Sequence, residues 1–322
     1  MRPFIDRLLL GAIGALLLAG QAAAFPDRPI RLVVPYGPGG ITDIAARILA
    51  PKLGEELGQQ VIVDNRPGGA AMIGFGFAAR SAPDGHTLVL ATTALAANPV
   101  LFRTIPYDAR TDFTPVSLVG LVPMVLVVPP GSPARSVAEF IALAKTPPGG
   151  LNYGSAGNGS GNHLTTELFN HAAGITATHV PYRGGGQVMT DLVAGRVAYV
   201  FAVLPTARPF IVGGQLRALA VTGLTRSPGA PDVPTVAEAT IPGFSVHEWL
   251  GLLGPAGMPP AITQRLHEAT AAALRNPDLA ERFRTIGVEA QGTGPAELRA
   301  HLDTELKRWA DLARAVRFEV AE

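Results

Sequence analysis

Two glycine-rich runs, LVVPYGPGGITD (Leu32 to Asp43) and YGSAGNGSGNH (Tyr153 to His163), each leave an apolar segment and enter one with helical periodicity. Such a turn lets backbone N–H groups face whatever sits above it, with the positive end of a helix dipole behind them. The chemistry available to these residues is the holding of an anion. Gly39 and Gly40 offer backbone donors and Thr42 adds a hydroxyl, while Asp43, in the first turn, orients the loop by capping it. In the second run Ser160 is placed to cap the helix that follows. Ser155 and His163 are placed to face a cleft, where a hydroxyl and an imidazole bind a carboxylate without a salt bridge. The runs are separated by about the length of a small domain, which predicts two lobes gripping an anion between them.

Patterns for covalent chemistry are missing. No glycine is followed by lysine, so there is no phosphate-binding G-x-x-x-x-G-K-[ST] loop, and neither His247-Glu248 nor His267-Glu268 completes H-E-x-x-H. Neither Ser155 nor Ser160 has glycine on both sides at the spacing of a nucleophile elbow. Thr42 stands where a dinucleotide fingerprint after Gly37 and Gly39 needs its third glycine. With no cysteine and scattered histidines, no metal site is expected. The reading is a binding protein without cofactor or metal, not an enzyme. Two alternatives stay open: a secreted α/β transferase or hydrolase, which lacks a visible nucleophile, base pair and metal set, and a ligand-sensing module for a signalling partner.

The elements that must position these loops follow an alternating pattern. Residues 1–24 have the layout of an export signal, with Arg2 and Arg7, an apolar run from Leu8 to Ala19 too short to span a bilayer, and Ala22-Ala23-Ala24 before Phe25. Cleavage after Ala24 predicts a free periplasmic protein, since the chain has no cysteine to lipidate. The whole chain carries 26 basic and 25 acidic residues, and removing Arg2, Arg7 and Asp6 leaves 24 of each. A balanced chain has no electrostatic footprint for nucleic acid or an anionic membrane.

Strands at Ile30–Val34, Val61–Val63 and Leu88–Ala91 alternate with helices at Ile41–Leu57 and Met72–Ala79, which predicts a βαβαβ unit in which Pro51 kinks or divides the first helix. A second series has strands at Met124–Val128, Ala177–Val180, Val197–Phe201 and Leu216–Thr222 and helices at Val137–Ala144, Asn162–Ala172 and Val188–Ala194. Asn276-Pro277-Asp278 starts a helix and Gly287 stops it. Leu298, Leu302, Leu306, Trp309, Leu312 and Val316 lie on one helical face, which packs on the first lobe's sheet. The fold class is α/β, two lobes forming a clamshell, each a mostly parallel sheet flanked by helices. Residues 25–123 and 249–322 form the first lobe and 124–248 the second, with hinge crossings near Pro123 and Trp249.

Across nearly all of its length after Ala24 the chain resembles the periplasmic substrate-binding receptors of tripartite tricarboxylate transporters, the Bug receptors. The resemblance rests on FPDRPIRLVVPYGPGGITDIAAR, VDNRPGG, PDGHTL, YDARTDFTPVSLVG, LNYGSAGNGSGNHLTTELF, HVPYRGG, LRALAVT, PDVPTVAEA and WLGLLGPAG, in that order. It implies a monomeric clamshell that holds a small carboxylate on loop amides, often through water, and delivers it to a permease of one large and one small subunit. Carried over by position, it implies contacts at Tyr36, Gly39, Gly40, Thr42 and Asp43, with Thr92 and Thr93 nearby. In the second lobe it implies Ser155, Gly159, Ser160, His163, Arg183 and Gly184. Family members commonly have asparagine at Met72 and aspartate at Ala198 and Ala202. Because Ala202 falls close to the implied ligand and offers only a methyl group, the expected ligand is a carboxylic acid without an α-amino group.

Overall fold

The structure is a computed structural model that describes residues 25–146, 150–182 and 184–316, so that the expected leader, residues 1–24, lies outside the described residues. In chain order the elements begin β1 (Ile30–Val34), α1 (Ile41–Leu57), β2 (Val61–Asn65), α2 (Met72–Ala79), β3 (Thr87–Ala91), α3 (Thr93–Leu101) and β4 (Phe113–Val128). There follow α4 (Val137–Ala144), β5 (Asn152–Ser155), α5 (Gly161–Ala173), β6 (Thr178–Pro181), α6 (Gly185–Val193), β7 (Val200–Val203) and α7 (Leu204–Val212). The last are β8 (Arg217–Val221), α8 (Val236–Ala239), β9 (His247–Pro255), α9 (Pro260–Arg275), α10 (Pro277–Thr285), β10 (Glu289–Thr293) and α11 (Pro295–Ala315).

β1 pairs in parallel with β2 and β3, as a βαβαβ unit requires. Alternation puts Ile30, Leu32 and Val34 against α1, α9 and α10, and turns Val33 to the opposite face with Phe75 of α2 and Leu95 of α3. A strand buried on both faces reads as a continuous apolar run, which is what this segment shows. Pro51 does not divide α1, which is one helix of 17 residues ended by Gly58 at φ 72°. That left-handed conformation strains a residue with a Cβ.

The strand expected to begin at Met124 starts earlier, at Phe113. β4 is one strand of 16 residues that continues through Pro123. Its first part pairs antiparallel with β9 and β10, and its last residues pair antiparallel with β7 and β8. Pro115 is accommodated at a register shift between Pro115 and Ser117, where its missing N–H breaks no regular ladder. β9 runs antiparallel to both β3 and β4, with Val122 opposite Glu248 and Pro123 opposite His247. The two crossing strands therefore lie side by side, and they supply the antiparallel pairs in sheets whose other strands run in parallel sets. In the second sheet β5 and β6 are parallel, and the bridge between Tyr153 and Tyr199 joins them to the approach to β7. The strand expected to start at Val197 begins at Val200, because Ala198 N–H bonds instead to the Asn152 carbonyl and side chain.

Alternation along the end of β4 sends Val125 and Val127 to α6 and α7, and Leu126 and Val128 to the aromatic cluster of Phe140, Phe169 and Phe201. α11 buries Leu298, Leu302, Trp309 and Leu312 against β4 and α3, the packing its periodicity implies. Among the described residues no helix is long and apolar enough to cross a membrane.

Candidate functional site

Uncapped helix amino ends, those of α1, α5 and α6 among them, open onto one cavity. Of the other helices, α3, α4, α8 and α10 have their first N–H groups capped by Thr92, Ser136, Thr235 and Asn276. Helices α9 and α11 begin with proline, and α2 donates its first N–H groups to Gly68 and Gly69, whereas α7 has proline second, at Pro205, and its uncapped amino end at Val203 also lines the cavity. No side chain caps α1, α5 or α6, whose N-caps are Gly40, Ser160 and Gly184. All three N-caps line a cavity of 820 Å³. Backbone N–H groups and helix dipole ends directed at one space are suited to receiving an anion.

Each of the first two loops is braced by a side chain from its own helix. The Asp43 carboxylate accepts from Gly39 N–H at 2.9 Å, from Arg47 Nε at 3.0 Å and from Asn65 Nδ2 at 2.9 Å, and it is buried. Asp43 is therefore a loop orienter, and its carboxylate does not line the cavity. Burial pushes its acidity down, yet the bonds from Arg47, Gly39 and Asn65 outweigh this and hold its pKa below the ordinary value. In the second loop His163 Nδ1 accepts from Gly159 N–H at 3.0 Å, the same four-residue reach. The N–H groups of Gly39 and Gly159 are thus committed within the loops, although both glycines line the cavity.

Several residues placed at the site from sequence lie beneath it instead. Ser155 is fully buried at the end of β5, where its hydroxyl meets His179 Nε2 at 2.5 Å and bonds within the turn to Gly157. His163 stacks on His179 with ring centroids 4.1 Å apart, and burial pushes these two imidazoles down to about 3 and about 4. They support the loop as neutral rings. Ser160 lines the cavity but does not cap α5, since its hydroxyl turns back to the Gly157 carbonyl at 2.5 Å and to Asn162 Oδ1 at 2.7 Å. Thr92 and Thr93 are buried and do not line the cavity, yet they hold two residues that do. Thr92 Oγ1 meets the Tyr36 hydroxyl at 2.7 Å, and Thr93 N–H donates to Glu248 Oε1 at 3.2 Å. Arg183 lies outside the described residues.

Tyr36, Gly39, Gly40, Thr42, Gly159, Ser160, Gly184 and Ala202 are the sequence-derived positions that do line the cavity. Its remaining wall is largely apolar, with Ile41, Met124, Val188, Met189, Val203 and Ile286. A polar arc of backbone donors facing an apolar wall suits an acid with a hydrocarbon part. Among the described residues, no group of three or more His, Cys, Asp or Glu side chains could hold a metal ion.

Two features escaped sequence reasoning. The resemblance implied Gly184, but the helix expected from Val188 starts at Gly185, so its amino end was not read as one, since its first two residues are glycines, which favour helix poorly. Glu248 was missed because it sits in an apolar strand, HEWLGLLGP, and no local pattern marks it. A lone carboxylate in such a run was the available signal, because a charge is placed there at a cost unless it has a purpose. Its presence removes the premise that the cleft has no acidic partner for an ammonium group at Ala202.

Protein BugT of Bordetella pertussis is 38% identical over 314 residues, covering 95% of this chain and 96% of BugT. Among solved structures, Rpa4515 of R. palustris with adipate is 38% identical with a TM-score of 0.80, covering 90% of this chain and 98% of that one. MatC (Rpa3494) of Rhodopseudomonas palustris with bound malate is 32% identical with a TM-score of 0.78, covering 89% and 99%. The family described as tripartite tricarboxylate transporter family receptor matches residues 45–317. The chain, with its two-domain periplasmic-binding-protein fold, belongs to that family, which is one of receptors and not of enzymes.

Proposed function

We propose that this chain is an exported receptor that takes up a small carboxylic acid between two lobes and presents it to the large and small subunits of a tripartite permease. The observation that carries this reading is the convergence of the uncapped amino ends of α1, α5 and α6 on one cavity. The lobes are residues 25–123 with 249–322, and residues 124–248, closing about the paired strands β4 and β9. Tyr36, Gly40, Thr42, Ser160, Gly184 and Ala202 face the ligand, and Asp43, Thr92, Thr93, Ser155 and His163 act by holding the loops. The mature chain starts at Phe25, works as a monomer in the periplasm and needs no cofactor. Adipate and malate in the solved relatives support a small acid as the ligand class, and a cavity of 820 Å³ has room for one.

Thermal melting of the mature chain against mono-, di- and tricarboxylates tests the reading. An acid at 100 times its dissociation constant stabilises by about 2.7 kcal/mol. Absence of a shift with every acid would overturn it.

A further inference from the structure

Among the described residues Glu248 is the one carboxylate lining the cavity, and no Lys, Arg or His side chain lines it. Its Oε1 is held by Thr93 N–H at 3.2 Å, at the amino end of α3. Its Oε2 lies so close to Gly161, the first residue of α5, that a Cβ there would overlap it. An acid seated on the amino end of α5 therefore has its carboxylate in contact range of the Glu248 carboxylate. Two adjacent anions in a half-buried site repel, unless a proton lies between them. That proton comes either from solution, onto Glu248, or from a donor on the ligand.

We infer that Glu248 reads a hydrogen-bond donor on the bound acid, so that the site favours acids with a hydroxyl or ammonium group on the carbon next to the carboxylate over the plain acid of equal length. The inference rests on the receptor reading and narrows its substrate class. It reverses the preference expected from Ala202, because the acidic partner missing from β7 is supplied by β9. Tyr36 from the β1–α1 loop and Glu305 from α11 are the titratable groups that act on Glu248, and no described cation forms an ion pair with it. Burial pushes the Glu248 carboxyl up to about 7, the Thr93 N–H opposes this and Glu305 adds to it. A plain acid, which needs the protonated form, binds with uptake of a proton and weakens about tenfold per pH unit above that value. A hydroxy or amino acid satisfies the ionised form and keeps its affinity.

Calorimetry at pH 6 and pH 8 with succinate, malate and aspartate, and with adipate, 2-hydroxyadipate and 2-aminoadipate, tests this. The expected result is that at pH 8 a substituted acid binds at least tenfold tighter than its plain counterpart, and that only the plain acid weakens from pH 6. Glu248→Gln removes the pH dependence of the plain acid and cuts the preference for the amino acid at least tenfold, whereas Glu248→Asp keeps the sign of both effects. If Glu248→Gln fails to fold, the pH profiles of the unaltered protein decide alone. Plain acids that bind as tightly as substituted ones at pH 8, with a flat profile, would overturn the inference while leaving the receptor reading intact. Failure of every acid to bind at either pH overturns the receptor reading, and the inference with it.

Discussion

Asp43→Asn separates positioning of the first loop from contact with the ligand. Asparagine keeps one acceptor for Gly39 N–H but turns its amide toward Asn65 Nδ2 and Arg47, which are both donors. The lost bond from the part-buried Asn65 amide to a charged acceptor is worth about 2 kcal/mol. Arg47, whose side chain is 52% exposed, adds less than about 1 kcal/mol after solvent screening. The variant should therefore lose about 2–3 kcal/mol, a fall in Tm of roughly 5 °C for a chain of this size. Because the folded pKa of Asp43 is depressed, its contribution is present above the ordinary aspartate pKa and is lost as pH falls through the folded value. Melting of the two proteins from pH 7 to pH 3 should show a constant gap that closes at the acid end. An unchanged Tm together with abolished ligand binding would refute the argument, since it would make Asp43 a contact.

The other expectations concern acid stability and export. His163, His179, His247 and His301 are held neutral by burial, pushed down to between about 3 and about 4. With folded values below the ordinary 6.5, each contributes stability that is present above pH 6.5 and is lost as pH falls toward the folded value. His179→Gln should flatten the fall in Tm between pH 6.5 and 5, and an unaltered slope would count against burial as its cause. N-terminal sequencing of the exported protein should find Phe25 first, whereas a full-length chain in the membrane fraction would contradict cleavage after Ala24.

Local chemistry carried a large part of this protein in its sequence. The bounds of α1 and α2, the Asn276 cap of α10, the buried face of α11 and the loop-holding role of Asp43 depend on residues within a few positions of one another, so spacing alone determines them. Which residues face the ligand is a different matter. Ser155 and His163 stand in the right loop but point under it, because His179 arrives from β6 to take up the serine hydroxyl and stack on the imidazole. The crossing is a strand because β9, over a hundred residues downstream, supplies a partner for β4 through Pro123. Glu248 stands out in sequence only as a lone carboxylate in an apolar run, and it becomes a site residue when β9 is laid beside β4 and its carboxylate meets the amino ends of α3 and α5, a juxtaposition that long-range packing decides.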